Sequence, residues 1–338
     1  METKKNRQFR LAARPVGLPK DTDWESTVEP IPSPEAGEIV VEVVYLSLDP
    51  AMRGWMNEGR SYIPPVGIGE VMRAVGIGRV IASAAPGFAI GDYVTGPFGI
   101  QQFARIKASD VQKVDPNLAP LTTQLAVLGL PGMTAYFGLL DVGKPQPGNT
   151  VVVSGAAGAV GAVVGQIAKI KGCRAVGIAG GADKCKWLVD ELGFDAAIDY
   201  KNEDVAKRLR AECPKGLDVY FDNVGGDILD AALANLARRA RVVICGAVSQ
   251  YNNTTPMRGP KNYLSLLVHR ARMEGFVVFD YADRYAEAAK EMLGWIKAGK
   301  LVSREHVVQG IESFPRQLLK LFSGENTGKL VLQVGDER

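Results

Sequence analysis

Residues 150–172 read TVVVSGAAGAVGAVVGQIAKIKG, and this stretch decides the fold. A β-branched run (Val151, Val152, Val153) enters a glycine-rich turn, and a helical pattern follows at once. Val160, Val164, Ile167 and Ile170 recur at helical spacing, and Lys169 and Lys171 suit the helix C-terminus, where the macrodipole is negative. A strand, a tight turn and a helix start, in that order, form a cradle for a dinucleotide pyrophosphate. Backbone N–H groups at the helix N-terminus point at the anion, and small residues let it approach. The spacing Ala156-x-Gly158-x-x-Gly161 is a variant of GxGxxG with alanine at the first glycine. A glycine turn alone says little; its strand and helix flanks in register make this one specific.

A chain of 338 residues has room for two domains and a sizeable core. The net charge of +3 comes without a lysine/arginine block or a basic–aromatic stripe, so no nucleic-acid partner is expected. RRARVV (238–243) is the densest basic patch and reads as a solvated lead-in to a strand. No apolar run approaches the ~20 residues of a membrane span. The first residues, METKKNRQFRLAARP, lack the apolar segment of a secretory signal. Cys173, Cys185, Cys213 and Cys245 are widely spaced with no CxxC pair, which predicts reduced thiols and a cytoplasmic protein. His269 and His306 are isolated, so no convergent metal-ligand set is expected.

Short strand-like segments separated by Gly/Pro breakers (38–49, 75–83, 103–107) predict a β-rich, partly closed barrel at the start of the chain. After Leu128 strand and helix alternate, with strands expected at 151–154, 174–180, 196–200, 217–224, 241–248 and 274–280. Asp183 and Asn202 are the expected caps of two intervening helices. Such alternation gives a doubly wound parallel sheet that binds its ligand at the strands' C-terminal ends. The last residues return to a helix (FPRQLLKLFSG) and a strand (KLVLQV) that is expected to rejoin the first domain. The nucleotide domain, residues 128–298, is then an insertion in a domain made of 1–127 and 299–338.

In NAD-preferring proteins an acid about 20 residues beyond the glycine turn accepts hydrogen bonds from the adenosine ribose. Here the second strand ends in Ala179-Gly180-Gly181-Ala182-Asp183-Lys184. A neutral crest at Gly181 followed by Lys184 attracts a 2′-phosphate that a carboxylate would repel, and the Tyr200 hydroxyl is a second partner for it. This favours NADPH. With two isolated histidines and no GxSxG elbow, a Ser/His/Asp triad is set aside. Hydride addition to an activated double bond instead needs an oxyanion donor and a proton source. A tyrosine serves both, and Tyr251, just past the strand ending CGAV, is best placed. Tyr62 and Tyr263 are the next candidates for the substrate pocket. The nicotinamide ribose hydroxyl or a water stays open as the proton source.

The chain resembles the medium-chain dehydrogenase/reductase superfamily, within it the zinc-independent branch of leukotriene B4 12-hydroxydehydrogenase/prostaglandin reductases, plant double-bond reductases and bacterial curcumin reductases. The resemblance rests on YLSLDPAMRGWM (45–56), LGLPGMTAYFGLLDVG (128–143), SGAAGAVGAVVGQIAKIKGC (154–173), IAGGADKC (178–185), FDNVGGDILD (221–230), CGAVSQYN (245–252), GFVVFDY (275–281) and GENTGKLVLQV (324–334), in order along almost the whole chain. It implies a Rossmann domain inserted in a GroES-like domain, and NADPH-dependent reduction of the carbon–carbon double bond of α,β-unsaturated ketones or aldehydes, curcumin-type substrates included. By position in those motifs, Ala157, Gly158, Ala159, Val160 and Gly161 would cradle the pyrophosphate. Lys184 and Tyr200 would bind the 2′-phosphate. Asn223, Cys245, Gly246, Ala247, Val248, Ser249, Phe276, Val277, Val278 and Asn326 would line the rest, with Tyr251 near the carbonyl oxygen. A homodimer is the usual assembly of such families. Plant relatives carry tyrosine in DPYMR where this chain has Ala51, so their substrate preferences are not carried over. A zinc alcohol dehydrogenase, an NADPH:quinone oxidoreductase and a non-catalytic NADPH-binding protein are the competing expectations.

Overall fold

The computed structural model describes residues 5–337, so the first four residues of the N-terminal stretch, and Arg338, lie outside it. The chain divides into two compact units, one reaching to Leu125 and resuming at Glu305, the other running from Ala126 to Arg304.

The first unit pairs β1 (Lys5–Leu11) antiparallel with β2 (Trp24–Pro30). Its larger sheet is built on β3 (Glu38–Ser47), a long apolar strand whose residues are nearly all buried. One edge of β3 pairs β4 (Gly76–Ser83), which continues through β5 (Tyr93–Gly96) to β7 (Gln112–Val114). The other edge is shared, with β6 (Phe103–Lys107) along its first half and the C-terminal strand along its second. Gly78 permits the close β3–β4 approach, because a Cβ there would lie 2.5 Å from the Glu42 carbonyl oxygen. Two short helices, α1 (Ala51–Trp55) and α2 (Leu121–Leu125), complete this stretch.

The second unit opens with α3 (Leu130–Phe137). A parallel six-stranded sheet follows: β8 (Thr150–Ser154), β9 (Arg174–Ala179), β10 (Ala196–Asp199), β11 (Leu217–Asp222), β12 (Leu236–Ile244) and β13 (Arg272–Gly275). The spatial order is β10-β9-β8-β11-β12-β13. The order therefore reverses between β8 and β11, the switch point at which doubly wound sheets bind nucleotides. Helices α4 (Gly161–Ile170), α5 (Ala182–Asp190), α6 (Val205–Glu212), α7 (Gly226–Leu233), α8 (Ser265–His269) and α9 (Tyr285–Lys297) accompany the sheet. Val151 and Val153 enter the core that buries α4, whereas Val152 enters the opposite core with Leu209 of α6 and Leu233 of α7. Both faces of the sheet are covered, which is why its strands read as continuous apolar runs.

The chain then returns to the first unit through β14 (Glu305–Gln309), α10 (Phe314–Ser323) and β15 (Lys329–Gln333). β15, the KLVLQV strand, pairs antiparallel with β3 inside the first unit.

Four local expectations are corrected. Strand β12 begins at Leu236, so Arg238 and Arg239 lie inside it, where a register shift in its pairing with β11 accommodates them. The strand expected at 274–280 is β13, which ends at Gly275; its last partner, Ile244, is also the last residue of β12, and beyond it the chain coils into a 3₁₀ turn. Asp183 does not cap α5, whose N-cap is Gly181, at φ 100°; Asp183 lies in the first turn. Asn202 does not cap α6 either, since the Asp204 carboxylate accepts the Lys207 N–H at 2.9 Å.

Candidate active site

The site is built at the C-terminal ends of β8, β11 and β12. Gly155 (φ 59°) supplies the left-handed residue of the turn, one position ahead of the alanine in the motif. Ala156 is fully buried, and its methyl fits because β9 presents Gly177, where a Cβ would come within 2.9 Å of it. Gly161 could not be larger, since a Cβ would lie 2.3 Å from the Gly155 carbonyl oxygen. In the first turn of α4 the Ala162 N–H donates to the Gly158 carbonyl at 3.0 Å, and those of Val163 and Val164 to the Val160 carbonyl at 3.1 and 3.0 Å. The remaining N–H groups of the turn, between small residues, carry little bulk around them, and the turn fits a pyrophosphate.

A hydrogen-bonded hub lies beneath it. The Ser154 hydroxyl donates to Asp222 Oδ1 at 2.8 Å and accepts the Asn223 N–H at 2.9 Å, while the Asn223 amide donates to the Ser154 carbonyl at 2.8 Å. Asp222 Oδ1 also accepts from the Tyr220 hydroxyl and from the Val224 and Gly225 N–H groups at 3.0–3.1 Å. Burial pushes the Asp222 carboxyl above the usual range, against the downward pull of these donors. Ser154 and Asp222 escaped the sequence reading. Their signal was a polar residue closing each of two apolar strands, next to glycine turns.

The loop after β12 is laced onto this hub. Cys245 and Gly246 donate N–H to the Asp222 carbonyl at 2.9 and 3.0 Å, Val248 donates to that of Asn223 at 3.1 Å, and the Ser249 hydroxyl donates to that of Val224 at 2.6 Å. Burial lifts the Cys245 thiol to about 12, so it stays protonated. The Tyr251 hydroxyl folds back over Gly246 and accepts the Ala247 N–H at 3.2 Å. Its oxygen is thereby anchored at the loop's own backbone.

At the ribose end, the Tyr200 ring lies against Gly180, where a Cβ would come within 2.9 Å of ring and hydroxyl. The Lys184 ammonium is held below its ordinary value by burial and by the charge of Lys201. The Phe276 ring turns into the core, edge-on to Phe221 at 6.4 Å and against Gly138, and Val278 packs on the same core. Tyr263, 57% exposed, lies just ahead of Leu264, the N-cap of α8. The remaining candidates belong to the first unit. Tyr62 is exposed and its hydroxyl accepts the Trp55 indole N–H at 3.2 Å. Asn326 donates its amide to the Gly328 carbonyl at 3.1 Å. Among the described residues, no group of three or more His, Cys, Asp or Glu side chains is arranged to hold a metal ion.

Two family descriptions match the chain: "N-terminal domain of oxidoreductase" over residues 7–114 and "Zinc-binding dehydrogenase" over 159–296. The NADPH-dependent curcumin reductase of Escherichia coli (strain K12) is 42% identical over 342 residues, covering 99% of both chains. The chain belongs to the medium-chain dehydrogenase/reductase superfamily, in its zinc-independent prostaglandin/curcumin reductase branch. The NADP(+)-dependent 2-alkenal reductase of Nicotiana tabacum, another relative, is 41% identical with 98% of each chain covered. CurA from Vibrio vulnificus, solved in complex with NADPH, superposes with a TM-score of 0.93 at 44% identity, covering 98% of this chain and all of that one. The family's Rossmann and GroES-like folds are those of the second and first units.

Proposed function

We propose that this protein is an NADPH-dependent reductase of the carbon–carbon double bond of α,β-unsaturated ketones and aldehydes. The observation that carries the reading is the loop 245–251, bonded to the hub at the switch point, with the Tyr251 hydroxyl fixed by the Ala247 N–H. The relatives named for curcumin and 2-alkenal reduction support the same chemistry. Bound NADPH supplies the hydride that the β-carbon accepts. Ala157 to Gly161 hold the pyrophosphate, and Lys184 and Tyr200 take the 2′-phosphate. Asn223 and residues 245–249 would shape the floor for the nicotinamide, and Tyr251 would donate to the carbonyl oxygen as negative charge gathers there. NADPH oxidation measured over enals, aryl enones, diarylheptanoids and quinones tests this. Turnover restricted to quinones, or tight NADPH binding with no turnover of any enone, overturns it.

The assembly is a homodimer. Strand β13 is the outer edge of its sheet, all four of its residues are exposed, and α8 packs beside it on β12. Leu267 is 76% and Val268 63% exposed. An open strand edge flanked by apolar side chains is a surface for pairing with a second copy. No helix among the described residues is long and apolar enough to cross a membrane. The four cysteines, all free thiols, support a reducing cytoplasmic setting.

A further inference from the structure

Strand β10 ends in Asp199, which is 8% exposed. A carboxylate there has no charge partner along its own strand, yet donors from two different loops converge on it. Its Oδ1 accepts the Gly181 N–H at 2.7 Å and the Lys201 N–H at 3.0 Å, and its Oδ2 accepts the Asn202 amide at 2.7 Å. Its own N–H donates to Glu203 Oε2 at 2.8 Å. One side chain therefore ties the crest after β9, through Gly181, to the turn after β10. Tyr200 adds a second tie, donating its N–H to the Ala179 carbonyl at 3.1 Å while its ring covers Gly180.

The tie has an electrostatic consequence. Lys184 sits three residues past Gly181 in the first turn of α5, and Lys201 follows Tyr200. Burial first, and then the charge of Lys201 on the joined turn, depress the protonation of Lys184. Two like charges held in proximity cost energy that a doubly charged anion between them relieves. Burial works against ionisation of Asp199, but the Gly181 N–H, the Asn202 amide, and the N–H and charge of Lys201 outweigh it and hold the carboxyl below its usual range. With its oxygens occupied by these donors, the carboxylate serves the two loops and is not presented to a ribose as the acid of an NAD site would be.

We propose that Asp199 is the positioning residue for coenzyme discrimination. It clamps the Gly180–Gly181 crest to the Tyr200–Lys201 turn so that Lys184, Tyr200 and Lys201, the last as a second cation, act together on the 2′-phosphate. The inference rests on the NADPH reading above. Direct binding of NADPH, NADH and 2′-phospho-AMP, followed by calorimetry on wild type, Asp199→Ala, Asp199→Asn and Lys201→Ala, tests it without turnover. Asp199→Ala is expected to raise Kd for NADPH and 2′-phospho-AMP about tenfold, the scale of a lost charge-assisted hydrogen bond, with NADH affinity nearly unchanged. Asp199→Asn keeps an acceptor for Gly181 and is expected to recover part of the loss. Lys201→Ala, at an exposed position, is expected to weaken both phosphorylated ligands and to flatten their salt dependence. If Asp199→Ala does not fold, Asp199→Asn and Lys201→Ala carry the test. A wild type that prefers NADPH, together with variants that lose NADPH and NADH equally, overturns the positioning role. A wild type with no preference overturns the NADPH reading itself.

Discussion

Tyr251 carries the chemistry proposed for this chain, and its surroundings explain how a phenol is aimed. The hydroxyl oxygen is pinned by the Ala247 N–H of its own loop, so the side chain is preorganised instead of searching rotamers. Tyr251→Phe is expected to lower kcat about 100-fold, the effect of removing one oxyanion donor, with NADPH Kd almost unchanged. Steady-state kinetics paired with coenzyme titration reads both. Lys184 makes a pH-dependent prediction. Its ammonium is lost at lower pH than an ordinary lysine's, because burial and Lys201 disfavour the charge. Affinity for NADPH is therefore expected to fall as pH rises on the alkaline side, before affinity for NADH does, and Kd measured against pH shows it. Both proposed roles start from the sequence, Tyr251 from its place in the loop after a strand, which the structure ends at Ile244, and Lys184 from a crest where an acid is missing. Asp199, Asp222 and Ser154 were not. Their roles lie in donors contributed by chain segments far from them in sequence, which no local pattern encodes.

At the scale of elements, α4 shows how a helix start is specified by what it must not carry. Gly161 abuts the Gly155 carbonyl, and one turn later a Cβ on Gly165 would lie 1.8 Å from the Phe194 ring. Gly165→Ala is expected to destabilise the fold by about 1–3 kcal/mol, despite alanine's better helix propensity, because the buried ring cannot move aside. Urea unfolding measures this. Gly161→Ala, by contrast, is expected to weaken NADPH binding most, as the clash is with the backbone of the cradle itself. The strands from Thr150 to Asp222 lie within two residues of where apolar runs place them. Expectations failed where tertiary partners intervene. β13 ends level with the end of β12, α5 starts from Gly181, and α6 is capped by Asp204 while the Asn202 amide is taken by Asp199.

For the whole molecule, the proposed dimer rests on the β13 edge with α8. Leu267→Glu places a charge on the exposed apolar side of α8 and is expected to convert the proposed dimer to monomer while each monomer stays folded. Light scattering with circular dichroism checks both. A wild type that is monomeric at micromolar concentration overturns the dimer. By itself the sequence determined the fold class and the family, and it marked the strand–turn–helix that the proposed cofactor cradle is built on. All of these rest on local periodicity and on small-residue spacing that survive without knowledge of neighbours. Only the tertiary structure decided how the turn tolerates Ala156, through Gly177 on the adjacent strand. It alone decided how Tyr251 is held and how Asp199 binds two loops into one. These are contacts between segments distant in the chain, and their existence depends on the strand order of the sheet.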